Sequence, residues 1–392
     1  MERRTFILRC TALGAALGAH GGNALGQSPT PQLPGPPRSV AAGSGGESVG
    51  IGNDPPLSFV ASFATPTLTD TYVVPNKTAK LNFGKHTKMA YCPDNGYLYT
   101  CGGDGQGQHW GGNDSGTMDT VGRYDVATHT YTEDFLYRGH AGEPVPRGLD
   151  YTAFTWSPSL KEFWLGPGYA WNYKDDKYPW VDLSWSTRNF ASYNPVTRRF
   201  TDRGPKPPHV NYEGFAGSWD TRRDQLVFVT NQSFVSLHPR TLEVTRVSLR
   251  ISPHVVHTAD TWYDAATDEL YFVQIATGKV YAFRIGTKML RLVATTIEKT
   301  ISTQNSIGVV YLTDSRHCLL VYAAKQIDSE LPWKLVNLDT GAVRHLNPMP
   351  PGITRHNTGA YHPQTKTIVL TGGNNDGNKR NGAAFHHYRS NL

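Results

Sequence analysis

A short phrase recurs six times along this chain. When the copies are aligned on their turns, polar or ionisable side chains stand just ahead of each one. They are His86, Asp150 with Tyr151, Tyr212 with Glu213, His257, Asn305, and Arg355 with His356. Histidine, tyrosine and arginine together suffice for proton transfer at a carbon acid without a cofactor. A cation neutralises a carboxylate and acidifies the neighbouring C–H, one side chain takes that proton, and another protonates a departing oxygen. Any single member of the set could equally solvate a channel and hydrogen-bond to its surroundings. As a group they read as a functional mouth.

Two long glycine- and aromatic-rich segments belong to the same picture. The first, GGDGQGQHWGGNDSGTMDT, carries His109 and Trp110. The second, GPGYAWNYKDDKYPWVDLSWST, carries Tyr169, Trp171, Tyr173, Tyr178, Trp180 and Trp185 with Lys174 and Lys177. Long loops in a compact domain tend to be functional. Exposed aromatic faces suit C–H-rich sugar rings, while adjacent polar groups bind hydroxyls. Part of the aromatic set is equally suited to a small satellite core under its own loop. A late segment adds Asn374, Asn375, Asp376, Lys379 and Arg380 to the rim.

Other chemistries lack their signatures. The chain has no GxSxG nucleophile elbow, no HExxH and no Walker A loop. GGDGQG follows a strand but opens no helix, so it does not read as a phosphate loop. Asp104 and Asp114 do not have EF-hand spacing. His386 and His387 are adjacent, so strand alternation would send them to opposite faces. No cofactor is expected, and a structural metal ion is left open without being indicated.

The elements that must position these residues follow from the repeat. Its copies cover residues 90–103, 155–168, 218–231, 261–274, 310–322 and 360–373. In each, an apolar run ends in an aromatic, a turn rich in Pro or Asp follows, and a second apolar run begins. Recurrence at about 45–65 residues indicates a propeller-like array. The fold class expected is all-β, a β-propeller of four-stranded antiparallel sheets. Six blades are expected, with seven left open if residues 57–84 form more than one strand. Leu57–Ala64 alternates like a strand and is expected to complete the last blade and close the ring, removing free edges. With the first strand of each blade innermost, the connections into each blade and those between its second and third strands share one end.

The phrases LYTCGG with RYDVATHTY, SYNPVTRRF, LVNLDTGAVRHL and IVLTGG resemble the kelch family and the propeller domain of galactose oxidase-like proteins. The resemblance covers about residues 57–392 and speaks to fold more than to function. The Tyr/His copper site of galactose oxidase has no counterpart in this sequence. A second resemblance is to propeller-fold polysaccharide lyases of the ulvan type. It implies β-elimination on a uronate-containing glycan by a carbon–oxygen lyase. His86 or Tyr151 would be the base, His109 the acid and Arg355 the carboxylate neutraliser. Trp110, Tyr169, Trp171, Tyr173, Lys174, Tyr212, Glu213, His257, Asn305, His356 and Arg380 would bind substrate. The competing reading is a non-catalytic kelch-like propeller that binds glycan or protein.

The N-terminus, MERRTFILRCTALGAALGAHGGNALG, has basic residues ahead of an apolar stretch too short to span a membrane. Residues 1–26 read as an export signal, with Arg3-Arg4-Thr5-Phe6-Ile7 favouring the twin-arginine type over an ordinary secretory signal. Residues 27–56, loaded with Pro, Gly and Ser, read as a flexible linker. A periplasmic or secreted protein follows. Of the 392 residues, 38 are Lys or Arg and 32 Asp or Glu, for a net charge of +6, and removing residues 1–26 lowers this by two. That balance, with no basic block, permits an acidic polysaccharide or oligosaccharide and gives no sign of nucleic acid. No later segment is apolar enough for a membrane span, and a monomer is expected. The hairpin turn near residues 94–96 sets Cys101 opposite residue 88 or so, too far from Cys92 for a disulfide, so free buried thiols are expected.

Overall fold

The computed structural model describes residues 55–64, 71–72, 87–101, 117–118, 120–136, 153–166, 189–205, 216–230, 233–249, 251, 261–274, 277–297, 307–322, 333–346, 358–371 and 384–392. All lie in the compact unit Asp54–Leu392. Strands β1 (Leu57–Ala64) and β2 (Thr71–Tyr72) precede the first repeat. The first blade holds β3 (Lys88–Tyr91), β4 (Leu98–Cys101), β6 (Thr120–Asp125) and β7 (Thr130–Leu136); β5 (Thr117–Met118) pairs with β2 as a separate ribbon. The second has β8 (Phe154–Ser157), β9 (Glu162–Leu165), β10 (Asn189–Asn194) and β11 (Arg199–Pro205). The third has β12 (Ala216–Asp220), β13 (Gln225–Val229), β14 (Ser233–Leu237) and β15 (Val244–Ser248). The fourth has β16 (Trp262–Asp264), β17 (Glu269–Gln274), β18 (Lys279–Arg284) and β19 (Met289–Thr295). The fifth has β20 (Ile307–Leu312), β21 (His317–Tyr322), β22 (Trp333–Asn337) and β23 (Val343–Leu346). The sixth has β24 (Thr358–His362), β25 (Thr367–Thr371) and β26 (Ala384–Ser390), and takes β1 as its fourth strand. The protein is therefore an all-β six-bladed propeller of four-stranded antiparallel sheets, and residues 57–64 close it as the alternation implied.

Two-sided burial explains why these segments form sheets stacked in a ring. In β13, Leu226 and Phe228 pack toward the second blade while Val227 and Val229 pack toward the fourth. In β17, Leu270 and Phe272 face back and Tyr271 and Val273 face forward. In β21, Cys318, Leu320 and Tyr322 face the fourth blade while Leu319 and Val321 face the sixth. A strand buried on both faces reads as a continuous apolar run, and each run needs a neighbouring sheet on either side. Six apolar clusters fill the six interfaces, and the last joins Met89, Leu98 and Tyr124 to Ala360, Val369 and Phe385. The fourth strands are the exposed outer edge, as the pattern of β11 and β19 shows.

The recurring turn has a common construction. The last residue of the strand before the turn accepts hydrogen bonds from amides two or three residues on. Asp125, Asn194, Asp220 and Asn337 do so through Oδ1, and His238, just past the end of β14, accepts in the same way through Nδ1. Such side-chain-to-backbone bonds mimic a backbone turn. The fourth turn residue takes a left-handed φ in nine hairpins, among them His129, Lys161, Asp224, Asp268, Arg316 and Lys366. Cys92 and Cys101, both buried, are free, and Cys101 pairs with Lys88 across the hairpin.

These turns also bond from blade to blade, in a closed circuit. Asp94 of the first pairs with Lys161 of the second at 2.7 Å. Ser159 donates to Asp224 of the third. Arg223 grips both oxygens of Asp268 of the fourth, at 2.6 and 2.7 Å. Asp264 pairs with Arg316 of the fifth. Tyr361 of the sixth donates to Asp314 at 2.7 Å, and His362 donates through Nε2 to the carbonyl of Gly96 in the first at 2.8 Å. One end of the ring is thus tied by polar contacts outside the apolar clusters.

The Arg223 guanidinium, with Tyr263 and the Gly286 amide, brings the Asp268 carboxyl down to about 2. Because that value is below the unfolded one of 3.8, the pair stabilises fully above about pH 4, and its contribution is lost as pH falls toward 2. Arg223→Ala is expected to lower unfolding stability by about 2 kcal/mol at neutral pH. Denaturant titrations should show the gap between variant and wild type shrinking as pH falls from 4 to 2.

Candidate functional site

The opposite end of the ring is where the connections into each blade, and those between second and third strands, leave the sheets. This follows from the antiparallel order within every blade. The innermost strands sit side by side: β24 lies against β3, β3 against β8, β8 against β12, β12 against β16, and β20 against β24. Trp262 of β16 and Tyr311 of β20, with ring centroids 6.1 Å apart, span the remaining junction. Side chains at the starts of these strands therefore border a common axis.

Small residues allow that approach. A Cβ on Gly217 of β12 would lie 2.8 Å from the Cβ of Ala153, just ahead of β8. A Cβ on Gly359 of β24 would lie 2.7 Å from the Val369 carbonyl oxygen and 3.0 Å from Val310 of β20. Hydroxyls tie the same end. Ser218 donates to the Thr261 carbonyl at 2.7 Å, joining the third and fourth blades. Thr296 lies 2.8 Å from the Tyr322 hydroxyl, joining the fourth and fifth. Thr87, just ahead of β3, and Thr371, at the end of β25, bury hydroxyls that have no hydrogen-bond partner among the described residues. Both belong to the end of the sixth and first blades where the connections emerge.

The residues singled out in the sequence all fall in those connections. His86, His109, Tyr151 and Arg355 lie outside the described residues. So do Trp110, Tyr169, Trp171, Tyr173, Lys174, Tyr212, Glu213, His257, Asn305, His356 and Arg380. What is described are the strand ends that bracket them. His86 stands two residues before β3, Tyr151 three before β8, and Arg355 three before β24. These three strands are consecutive around the axis.

Sequence reasoning overlooked several ionisable groups within the blades. Asp134 of β7 is buried between the first and second blades. It accepts from the Tyr193 hydroxyl at 2.7 Å and lies 3.5 and 3.4 Å from the Nε atoms of Arg123 and Arg198. Glu269 of β17 accepts from Tyr271 and pairs with Arg291 and Arg284. Burial pulls its carboxyl upward, and the arginines and Tyr271 outweigh that, so its pKa lies below the usual range. Lys334 of β22 is buried with Nζ 2.8 Å from His345 Nδ1, and burial lowers its pKa. Each of these groups joins strands or blades rather than facing the axis. No group of three or more His, Cys, Asp or Glu able to hold a metal is present among the described residues. Nor does any helix among them have the length and apolarity to cross a membrane.

No family model matches the chain, and no curated protein matches it in sequence. Its likeness is to solved propellers. An auxiliary nutrient-binding protein from Bacteroides thetaiotaomicron superposes with a TM-score of 0.50 at 9% identity, over 85% of this chain and 76% of that one. TolB from Acinetobacter baumannii gives a TM-score of 0.43 at 11% identity, over 80% of this chain and 67% of that one. At such identities the likeness speaks to the fold alone.

The close approach at Gly359 yields a test of the frame beneath the mouth. Gly359→Ala forces a carbon against a cross-strand carbonyl, and overpacking of this kind costs about 1–3 kcal/mol. Chemical denaturation should show a loss of that size, whereas Ala360→Gly on the same strand should not reproduce its steric effect on the β24–β25 amide signals.

Proposed function

We propose that this propeller is an exported, carbohydrate-active protein that cleaves a uronate-containing polysaccharide by β-elimination. The observation that carries the reading is the order of the strands around the axis. Arg355, His86 and Tyr151 lead into β24, β3 and β8, which are neighbours in the sixth, first and second blades. His109 belongs to the connection between β4 and β5 in the first blade. The strands that these four candidates flank in sequence thus form one arc of the ring although 269 positions separate Arg355 from His86.

In this scheme Arg355 neutralises the uronate carboxylate and acidifies the C5 proton. His86 or Tyr151 takes that proton, the C4–O bond breaks as the C4–C5 double bond forms, and His109 protonates the departing oxygen. Trp110, Tyr169, Trp171 and Tyr173 hold sugar faces, and Lys174 and Arg380 offer charge to further carboxylates. Tyr212, Glu213, His257, Asn305 and His356 supply hydrogen bonds around the remaining arc. No cofactor is required. The reading takes residues 1–26 as an export signal and 27–56 as a linker, for a periplasmic or secreted protein acting as a monomer.

A binding propeller without turnover is the second reading. It is favoured by the aromatic content of the 166–188 connection, which supplies affinity without chemistry, and by the nutrient-binding role of one structural neighbour. A panel of alginate, pectin, ulvan and glycosaminoglycans separates the two. Turnover should appear as rising ultraviolet absorbance from the unsaturated uronate, and His86→Ala should reduce it by about a hundredfold or more without unfolding the protein. Retardation in a glycan gel with no absorbance change would establish the binding reading, and an intact panel with no retardation would end both.

A further inference from the structure

Three of the described histidines, His129, His362 and His387, gather at one interface out of six, the seam where β1 and β26 meet the first blade. Neighbouring His386 and His387 point to opposite faces of β26. His386 Nδ1 lies 2.8 Å from the Ser62 hydroxyl of β1. His387 is buried, with Nε2 2.8 Å from the Tyr124 hydroxyl of β6. Its ring meets Phe63 of β1 edge-on at 4.7 Å and His129 of the β6–β7 turn at 5.1 Å. His129 itself stacks on Phe63 with centroids 3.6 Å apart. At the turn end of the seam, His362 donates to the Gly96 carbonyl and accepts at Nδ1 from Thr365.

This arrangement suits neutral rings. With Nε2 unprotonated, His387 accepts from Tyr124; a charged ring instead donates to the Tyr124 oxygen, and the hydroxyl hydrogen must then turn toward the surrounding rings. Across from it, β1 presents Phe63, β6 presents Tyr124, and the turn presents His129. The carboxylate at the end of β6, Asp125, is engaged by the amides of Ala127 and Thr128. The neighbours on β26 are Phe385, His386 and Tyr388, and β25 contributes Val369 as the paired residue. Among the described residues no carboxylate bonds to His129, His386 or His387. A charge there would be enclosed by aromatic rings and further imidazoles.

We propose that this cluster makes ring closure acid-sensitive: a proton taken up by His387 releases the β1–β26 pair from the first blade, opening the seam locally while the other five interfaces hold. Burial, then the nearby His129 and His386, bring His387 down to about 4 from an ordinary value of 6.5, and burial lowers His386 as well. The opened seam therefore binds protons more readily than the closed one. Closure is fully favourable above pH 6.5 and weakens as pH falls through the window to about 4, each pH unit raising the open population up to about tenfold. The proposal concerns closure of the fold and stands whether or not the mouth cleaves a glycan.

Hydrogen exchange followed by mass spectrometry on the full chain at pH 7 and pH 5, corrected for intrinsic rates, tests it. Opening of β1, β26 and residues 126–129 should rise about tenfold or more, while β13 and β17 remain protected. His387→Gln keeps an acceptor for Tyr124 but cannot titrate, so it should flatten the dependence. Equal opening of all six interfaces, or an unaltered dependence in the variant, would overturn the proposal. Should the variant not fold, titration of the His387 ring signals in the wild-type protein decides: a value near 4 supports the switch, and one at or above 6.5 overturns it.

Discussion

Burial of the second strand of every blade on both of its faces is the constraint from which the architecture follows. Phe163 and Leu165 are needed by the first blade and Trp164 by the third, so β9 cannot be satisfied by one neighbour. The same holds for β13, β17, β21 and β25. A stack of sheets with this property leaves two apolar faces bare unless it returns on itself. Closure removes both at once, and β1 completes it by pairing along β26 from Leu57 with Ser390 to Ala64 with Ala384. The entry to β1 and the residues after β26 are pinned together, with Asn391 bonded to the carbonyls of Pro55 and Pro56.

The two ends of the ring divide the labour. At the hairpin end, turns are short, capped by their own side chains and linked from blade to blade by the circuit of Asp94, Lys161, Ser159, Asp224, Arg223, Asp268, Asp264, Arg316, Asp314, Tyr361 and His362. Charge-assisted contacts such as the bidentate Arg223–Asp268 pair hold geometry as well as contributing energy. At the other end the first strands approach through Gly217, Ala153 and Gly359, and the long connections leave. Rigidity at one end allows sequence variation in the loops at the other without loss of the frame, which is how propellers host diverse sites.

The frame was legible in the sequence because it is periodic. Leu57–Ala64 is legible to the residue from its apolar alternation, which a bulge between Phe59 and Ala61 interrupts. The hairpin register that sets Cys101 against Lys88 followed from the turn between them. The last strand runs from Ala384 to Ser390, its final residues pairing with the start of β1. The candidate site was legible only as a position in the repeat. His86, Tyr151 and Arg355 share a place ahead of their strands, but neither spacing nor alternation fixes how their side chains meet. Buried pairs such as Asp134 with Tyr193 left no local signal, because 59 positions separate the partners and only stacking of two blades joins them.

The seam illustrates the same limit from another side. Adjacent His386 and His387 look in sequence like a failed metal motif, and alternation correctly places them on opposite faces. What alternation cannot supply is that His129, 258 positions earlier in the chain, reaches one of those faces. Closing a ring needs one blade assembled from both ends of the chain, so one interface in six always depends on a non-local strand. Contacts of that kind form at high entropic cost, which makes the β1–β26 pair the element whose attachment is most readily modulated. Three of the described imidazoles, His129, His362 and His387, lie at this junction, where a modest change in free energy has the largest structural consequence.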